Sequence, residues 1–456
     1  MTSPAPRRDV AAPAGVTVVG IGADGWAGLP APSREALRGA EVLVGGARQL
    51  GLLPAAECPG ERVTWPSPLG PAVPGVLAAH AGRRIAVLAS GDPYFYGIGR
   101  TVTRALGTVP RVLPHPSSVA YACARSGWAQ EECEVVSTVG RPVARLAAVL
   151  HQGRKVLVLS AGAATPCEVA ALLRERGFGP SRLRVLEQLG GPGERVTEGT
   201  AADWPHPPGD ALNIVAVECV RDGGPAGGPR LGAVPGLPDE AYEHDGQLTK
   251  RHVRAATLAA LAPAPGELLW DVGGGAGSIA VEWLRTHPVC RAVTVERNGE
   301  RAARIARNAE RLGVPGLRVV TGTAPGALAG LPAPDAVFIG GGLTAPGLLA
   351  ACWAALPAGG RLVANTVTLE SEALLVEWYR RHGGELVRLA VSHGVPVGGF
   401  TGWRQAMPVT QWAVTKPAAD GSEGDGGDGA GLVECGAGQE SGGAEAGRPG
   451  AVGDES

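Results

Sequence analysis

The chain has 456 residues with 45% hydrophobic and 18% charged content, 71 Gly and 39 Pro, a length that points to two or three domains at the usual ~100 to 200 residues each. Residues 418 to 456 hold nine acids against one Arg, −8 of the formal net −2, which leaves the body at +6; this suits an acidic small molecule as well as nucleic acid, and no basic run with interleaved aromatics is present. With no apolar run of membrane length and a polar, Pro-rich start, no signal peptide is read, and a cytoplasmic α/β protein without membrane or nucleic-acid partners is expected.

The eight Cys are scattered without a C-x-x-C pair, so neither a metal site nor a disulfide framework is expected. In chain order, a loose first dozen residues precede a short apolar strand, Val16 to Ile21, that runs into Gly20-Ile-Gly22-Ala-Asp-Gly25. The spacing matches the dinucleotide fingerprint, but the next suitable acid, Glu41, precedes the apolar run Val42 to Val44 and so stands at the wrong end of a second strand. A further strand, Arg84 to Ala89, ends in Ser90-Gly-Asp-Pro-Tyr-Phe-Tyr-Gly97. Asp92 reads there as a cleft floor and, with Tyr94, as a candidate acid/base pair; the alternative is an Asp that organises its loop. Pro116-Ser-Ser-Val119 leads into a helix, Val119 to Arg125, that Ser117 or Ser118 could cap. Strand Lys155 to Leu159, helix Pro166 to Arg176, strand Arg184 to Glu187 and the run Ala211 to Val217 complete one α/β domain over 14 to 220, expected in two lobes.

Residues 221 to 237 carry Gly and Pro without periodicity and read as a linker to a second α/β domain over 238 to 416. Thr249 is the expected N-cap of a helix Lys250 to Ala262. The stretch LLWDVGGGAGSIAVEW, Leu268 to Trp283, then reads as strand, tight loop and helix, with Asp271 at the strand end and glycines alternating at Gly273, Gly275 and Gly277. A dinucleotide fingerprint counted from Gly273 needs glycine at 278, where Ser278 stands, and G-x-G-x-G after an acid fits S-adenosyl-L-methionine better. The run Ala292 to Val295 ends in Glu296, placed to grip a ribose diol in either cofactor class. On the helix Glu300 to Leu312, Arg301, Arg304 and Arg311 line one side and are expected to form a solvated face. Strands Arg318 to Thr321, Ala336 to Ile339 and Arg361 to Ala364 continue a parallel sheet, with the segment Trp403 to Val414 as a possible edge. From Pro417 to residue 456 the Gly- and acid-rich composition is expected to be disordered.

Through VVGIGADG, ASGDPYFYGIG, HPSSVAYACARSGW and LEQLGGPGERV the first domain resembles the tetrapyrrole methylase fold, and through EHDGQLTKRHVRAATLAAL, LWDVGGGAGSIAVEW and PDAVFIGGGL the second resembles the Rossmann-like decarboxylating precorrin methyltransferase domain. Together the halves resemble the fused precorrin methyltransferases of cobalamin biosynthesis. The resemblance implies two methyl transfers from S-adenosyl-L-methionine, one cofactor per domain, to a polycarboxylate tetrapyrrole. The first domain would methylate C5; the second would methylate C15 and release CO₂ from an acetate side chain. Cofactor contacts would fall on Ala23, Asp92, Phe95, Ser117 and Ser118 in the first domain. In the second they would fall on Thr249, Asp271, Gly273, Gly274, Gly275, Ala276, Gly277, Glu296 and Ala324. A homo-oligomer is also expected. Two positions depart from the family: the loop Ser137-Thr-Val139-Gly-Arg141 lacks a His often found there, and Gly322-Thr323-Ala324 lacks an acid. The rival readings are a nicotinamide-dependent dehydrogenase, from Gly20, Gly22 and Gly25, and a tetrapyrrole-binding protein without catalysis.

Overall fold

The computed structural model describes residues 15 to 223 and 231 to 418. The start of the chain, the middle of the expected linker and the acidic tail from residue 419 lie outside the described residues.

The first lobe is a parallel sheet of β1 (Val16–Ile21), β2 (Val42–Gly45), β3 (Glu61–Thr64), β4 (Ile85–Ser90) and β5 (Arg111–Leu113), in the order β3-β2-β4-β1-β5. The central strands are continuous apolar runs because helices cover both faces: Val18, Val44 and Val87 fall in one core cluster, Val19, Leu43 and Leu88 in another. The second lobe is a mixed sheet of β6 (Cys133–Ser137), β7 (Lys155–Leu159), β8 (Arg182–Glu187), β9 (Arg195–Thr200) and β10 (Asn213–Glu218), ordered β6-β7-β10-β8-β9. Only β6 and β7 run parallel in it. Two sheets in 15 to 223 agree with the two expected lobes.

The second domain is one seven-stranded sheet: β11 (Leu268–Val272), β12 (Arg291–Glu296), β13 (Arg318–Thr321), β14 (Ala336–Ile339), β15 (Arg361–Thr366), β16 (Glu385–Leu389) and, after the hairpin β17 (Ser392–Val397) and β18 (Phe400–Gln405), β19 (Val409–Thr415). Its order is β13-β12-β11-β14-β15-β19-β16, the first five parallel and the last two pairings antiparallel. Strand order therefore reverses between β11 and β14, the place where open α/β sheets take ligands.

Several expectations need correction. The segment Trp403 to Val414 is not one edge strand: Pro408 interrupts it, β18 pairs with β17, and β19 lies inside the sheet with Trp412 fully buried. Thr249 does not cap the next helix, which spans Arg251–Leu261 with Lys250 as N-cap and no side-chain cap. The linker is not loose throughout. Leu237 is buried, and the Gly236 and Leu237 N–H groups donate to the Glu282 carboxylate at 2.6 and 3.0 Å. The two domains also touch, since Gly313, at φ +83°, ends the helix Gly299–Arg311 so close to the first domain that a Cβ there would lie 2.1 Å from the Ala148 nitrogen.

Candidate active site

In the first domain a cavity of about 580 Å³ opens between the two lobes, within the range of small-ligand sites. One wall is the C-terminal edge of the parallel sheet, with Ile21 ending β1 and Gly22 after it, Gly46 after β2, Trp65 after β3 and Ser90 at the end of β4. The other wall is the second sheet, through Ser137, Leu159, Ser160, Asn213 and Ile214. Of the expected cofactor contacts, Ala23, Phe95 and Ser118 line this space.

Asp92, Tyr94 and Ser117 are not among the lining residues. Asp92 Oδ1 accepts the Tyr94 N–H at 2.8 Å and its carbonyl accepts the Phe95 N–H at 3.2 Å, so it organises the loop that places Phe95. The Tyr94 side chain is half exposed and its hydroxyl meets Thr103 Oγ1 at 2.5 Å. The geometry thus does not assemble the expected acid/base pair at the cavity wall. Ser117 is the N-cap of the helix Ser118–Ser126, accepting the Ala120 N–H at 3.2 Å, the capping alternative the sequence left open.

Three features here escaped sequence reading. His115, 5% exposed, sets Nε2 3.1 Å from Asp24 Oδ2 beneath the first glycine loop. Asp24 occupies an unspecified position of the fingerprint and His115 lies 91 residues away, so no spacing links them. Ser137, 3% exposed at the end of β6, lines the cavity with a buried Oγ that has no hydrogen-bond partner among the described residues; its place in the departing Ser137 to Arg141 loop was the available signal. Arg48, on the short helix Ala47–Gly51 after β2, lines the same space.

In the second domain Asp271, Gly273 to Gly277 and Glu296 come together at the C-terminal ends of β11 and β12. Gly273 takes φ +77° so close to the turn after β14 that a Cβ would lie 2.8 Å from the Gly341 nitrogen, which closes the reversal point. Glu296, 4% exposed, accepts the Gly275 N–H on Oε2 at 2.9 Å and the Asn298 N–H on Oε1 at 3.0 Å. Each oxygen keeps a further lone pair for a ligand hydroxyl. Asp271 is fully buried; burial pushes its carboxyl up to about 7, against a backbone hydrogen bond from Ala280 and one from Thr294 Oγ1 at 3.3 Å, while the nearby Glu296 adds to the rise. Ala324 follows β13 and packs on the core beside this edge. Thr249 accepts the buried Arg254 guanidinium on its carbonyl. An acid at the tip of the second strand and a glycine loop beside it are what an adenosyl group requires, so these residues fit S-adenosyl-L-methionine.

The expectation of a solvated arginine face is corrected here. Arg301 and Arg304 hold Asp245 at 2.8 and 3.2 Å, which keeps the Asp245 carboxyl well below its usual range, and Arg311 donates to the Ala241 carbonyl. They bind the segment that enters the domain, and that segment lies over the glycine loop: a Cβ on Gly275 would be 2.9 Å from the Gln247 carbonyl oxygen. Asn308, fully buried, joins the two, donating to the Glu243 and Ala276 carbonyls at 3.0 and 2.9 Å. Among the described residues no group of His, Cys, Asp and Glu is placed to hold a metal, and no helix is long and apolar enough to cross a membrane.

Residues 15–205 match the family of Tetrapyrrole (Corrin/Porphyrin) Methylases and residues 240–416 match the Precorrin methyltransferase domain. A Sinorhizobium protein named precorrin-6Y C(5,15)-methyltransferase [decarboxylating] is 49% identical over 88% of this chain and 96% of its own length. Shorter relatives match less of the chain. A Salmonella typhimurium cobalt-precorrin-7 C(5)-methyltransferase is 36% identical over 40% of this chain and 88% of its own. A probable cobalt-precorrin-6B C(15)-methyltransferase (decarboxylating) from Pyrobaculum calidifontis is 38% identical over 39% of this chain and 94% of its own.

Proposed function

The chain belongs to the family of decarboxylating precorrin-6Y C(5,15)-methyltransferases, and we propose that its two domains divide the reactions, each with its own S-adenosyl-L-methionine. The enzyme methylates a precorrin at C5 and C15 and removes CO₂ from an acetate side chain in cobalamin biosynthesis. Neither the dehydrogenase nor the non-catalytic reading has support. In our reading the first domain methylates C5, and the second methylates C15 and decarboxylates. The observation that supports this is that each domain has its own parallel strands with a candidate site at their C-terminal edge, a cavity in the first and the glycine loop with Glu296 in the second. Relatives named for one or the other reaction, each matching about 40% of the chain, support the division.

The cofactor supplies an already activated sulfonium methyl, so the protein's part is alignment and exclusion of water. In the first domain Ala23, Phe95 and Ser118 would border the cofactor, and the apolar lining of Leu159, Leu186 and Ile214 would exclude water from around the macrocycle. In the second, Glu296 would hold the ribose hydroxyls, the Gly273 to Gly277 backbone would lie along the ligand, and Ala324 would border the adenine.

Calorimetric titration of the full chain with S-adenosylhomocysteine tests the reading: two sites are expected, and a single site would sink it. With labelled substrate, Glu296→Ala should suppress CO₂ release. Loss of C5 methylation alone in that variant would reverse the assignment.

A further inference from the structure

The first-domain cavity is lined by a cation that has no anionic hydrogen-bond partner among the described residues. Arg48 stands on the short helix Ala47–Gly51 after β2 and lines the space between the lobes. Its hydrogen bond runs to the Ser90 hydroxyl at 3.2 Å, an oxygen that also takes the Gln49 amide at 3.1 Å. Some arginines of this domain are held by carboxylates, Arg195 by Glu187, Arg125 by Glu194 and Arg38 by Glu57, while Arg34, Arg62 and Arg174 bond to backbone carbonyls. Among the described residues Arg48 forms no ion pair. Asp210, whose oxygens accept the Gln188 amide at 2.9 Å and the Leu212 N–H at 2.7 Å, acts on Arg48 through space and raises its pKa without hydrogen-bonding it among the described residues.

Arg48 reaches solvent through the mouth of the cavity, but the walls around its guanidinium desolvate it and lower its pKa. A guanidinium stays protonated even so and presents a planar fork of donors that matches a carboxylate. The lining of this cavity is mostly apolar, with Ile21, Leu88, Trp65 and Ile98 from the first lobe and Leu159 and Ile214 from the second. That combination suits a ligand with a flat hydrophobic body and carboxylate arms.

We propose that Arg48 is a specificity-determining residue of the first domain, binding one side-chain carboxylate of the tetrapyrrole at the mouth of the cavity and so fixing which edge of the macrocycle faces the cofactor. This rests on the reading that the first domain methylates the macrocycle. Arg48 touches a peripheral arm and takes no part in the methyl transfer. Its loss therefore weakens substrate binding and leaves the cofactor site intact. A charge-assisted bond of this kind lost from a cleft corresponds to about a ten- to hundredfold change in binding.

The test uses the full chain, with Arg48→Met and Arg48→Lys. The expected result for R48M is a KM for first-domain methylation raised about ten- to hundredfold, a kcat within about threefold, unchanged affinity for S-adenosylhomocysteine at both sites and an unchanged melting temperature. R48K should recover part of the lost KM, because it restores charge without the fork. In parallel, an octacarboxylate porphyrin binds in the presence of S-adenosylhomocysteine and quenches Trp65, which lines the same cavity; its affinity should fall with added salt more steeply in the wild type than in R48M. A KM for R48M within twofold of wild type, a fall in kcat at constant KM, or identical behaviour of R48K and R48M would overturn the proposal. Absence of a cofactor site in the wild-type first domain would instead overturn the reading on which it rests.

Discussion

Asp271 and Glu296 stand at the ends of neighbouring strands and face opposite demands. Glu296 has two backbone N–H donors on its oxygens, whereas Asp271 is sealed in the sheet with a long bond from Thr294. Because the folded-state pKa of Asp271, about 7, lies above the ~3.9 of an unfolded Asp, the native state holds a proton that the unfolded chain releases between those values. The sign follows: the stability contribution is fully present below about pH 4 and is lost as pH rises toward about 7. Asp271→Asn should remove that slope, which over some three pH units is on the order of a few kcal/mol. Denaturant melts at pH 5 and pH 8 measure it, and parallel losses in the two proteins would contradict it. A second residue, Ser137, carries a buried hydroxyl with no hydrogen-bond partner among the described residues. Ser137→Ala should hold or slightly raise the melting temperature, since an unsatisfied polar group is removed, while weakening ligand binding in the first cavity. A destabilised variant would show that the hydroxyl is satisfied within the fold. At this scale the sequence revealed what lies in one strand-loop-helix unit, such as Asp271 and its glycines. The Asp24 to His115 pair was hidden because β1 and β5 become neighbours only when the sheet forms.

Among the elements, the segment from Gly236 to Thr249 decides how the second site is built. Glu282, buried on the helix Ser278–Thr286, collects the N–H groups of Gly236 and Leu237, the Tyr242 hydroxyl at 2.9 Å and the Arg254 guanidinium at 2.6 Å. Arg254 is fully buried and also binds Asp239 at 3.2 Å and the carbonyl of Leu237. A buried pair is no guarantee of net stability, but removing one partner strands the other. Arg254→Met should therefore cost about 3 to 5 kcal/mol, read as a lowered urea midpoint of the second domain; a midpoint within error of wild type would refute it. Asp245→Ala behaves differently, because Asp245 is a surface group that clips the segment to Arg301 and Arg304 over the glycine loop. It should weaken S-adenosylhomocysteine binding at the second site while leaving the melting temperature nearly unchanged. Periodicity located the helix under these arginines within a residue at each end. It could not show that their partner is a carboxylate 56 residues earlier in the chain, and so the solvated-face expectation failed. Likewise β19 could not be placed beside β15 from its pattern alone, since a strand's neighbours are a property of the sheet.

For the whole molecule, the consequence concerns where the chain can be divided. Composition marked 221 to 237 as one linker, because Gly and Pro run through all of it. Structure splits that stretch: Leu231 and Leu237 pack on the second domain's core, and Gly236 is bonded to Glu282. A fragment beginning at residue 231 keeps both bonds to Glu282, whereas one beginning at 238 loses them and leaves a buried carboxylate with fewer donors. Fragment 231 to 418 should therefore melt higher than 238 to 418 and bind S-adenosylhomocysteine more tightly. Both comparisons are needed, since the same network holds the segment over the glycine loop. The first domain should also survive alone, but its Ala148 turn rests on Gly313 of the second domain, so separation exposes a docked surface on each side. The separated halves should retain their individual chemistries, with CO₂ release confined to 231 to 418, and mixing them should restore less than the rate of the intact chain. Equal melting temperatures for the two second-domain fragments would show that Gly236 and Leu237 are ornaments of the linker and not the first residues of the domain.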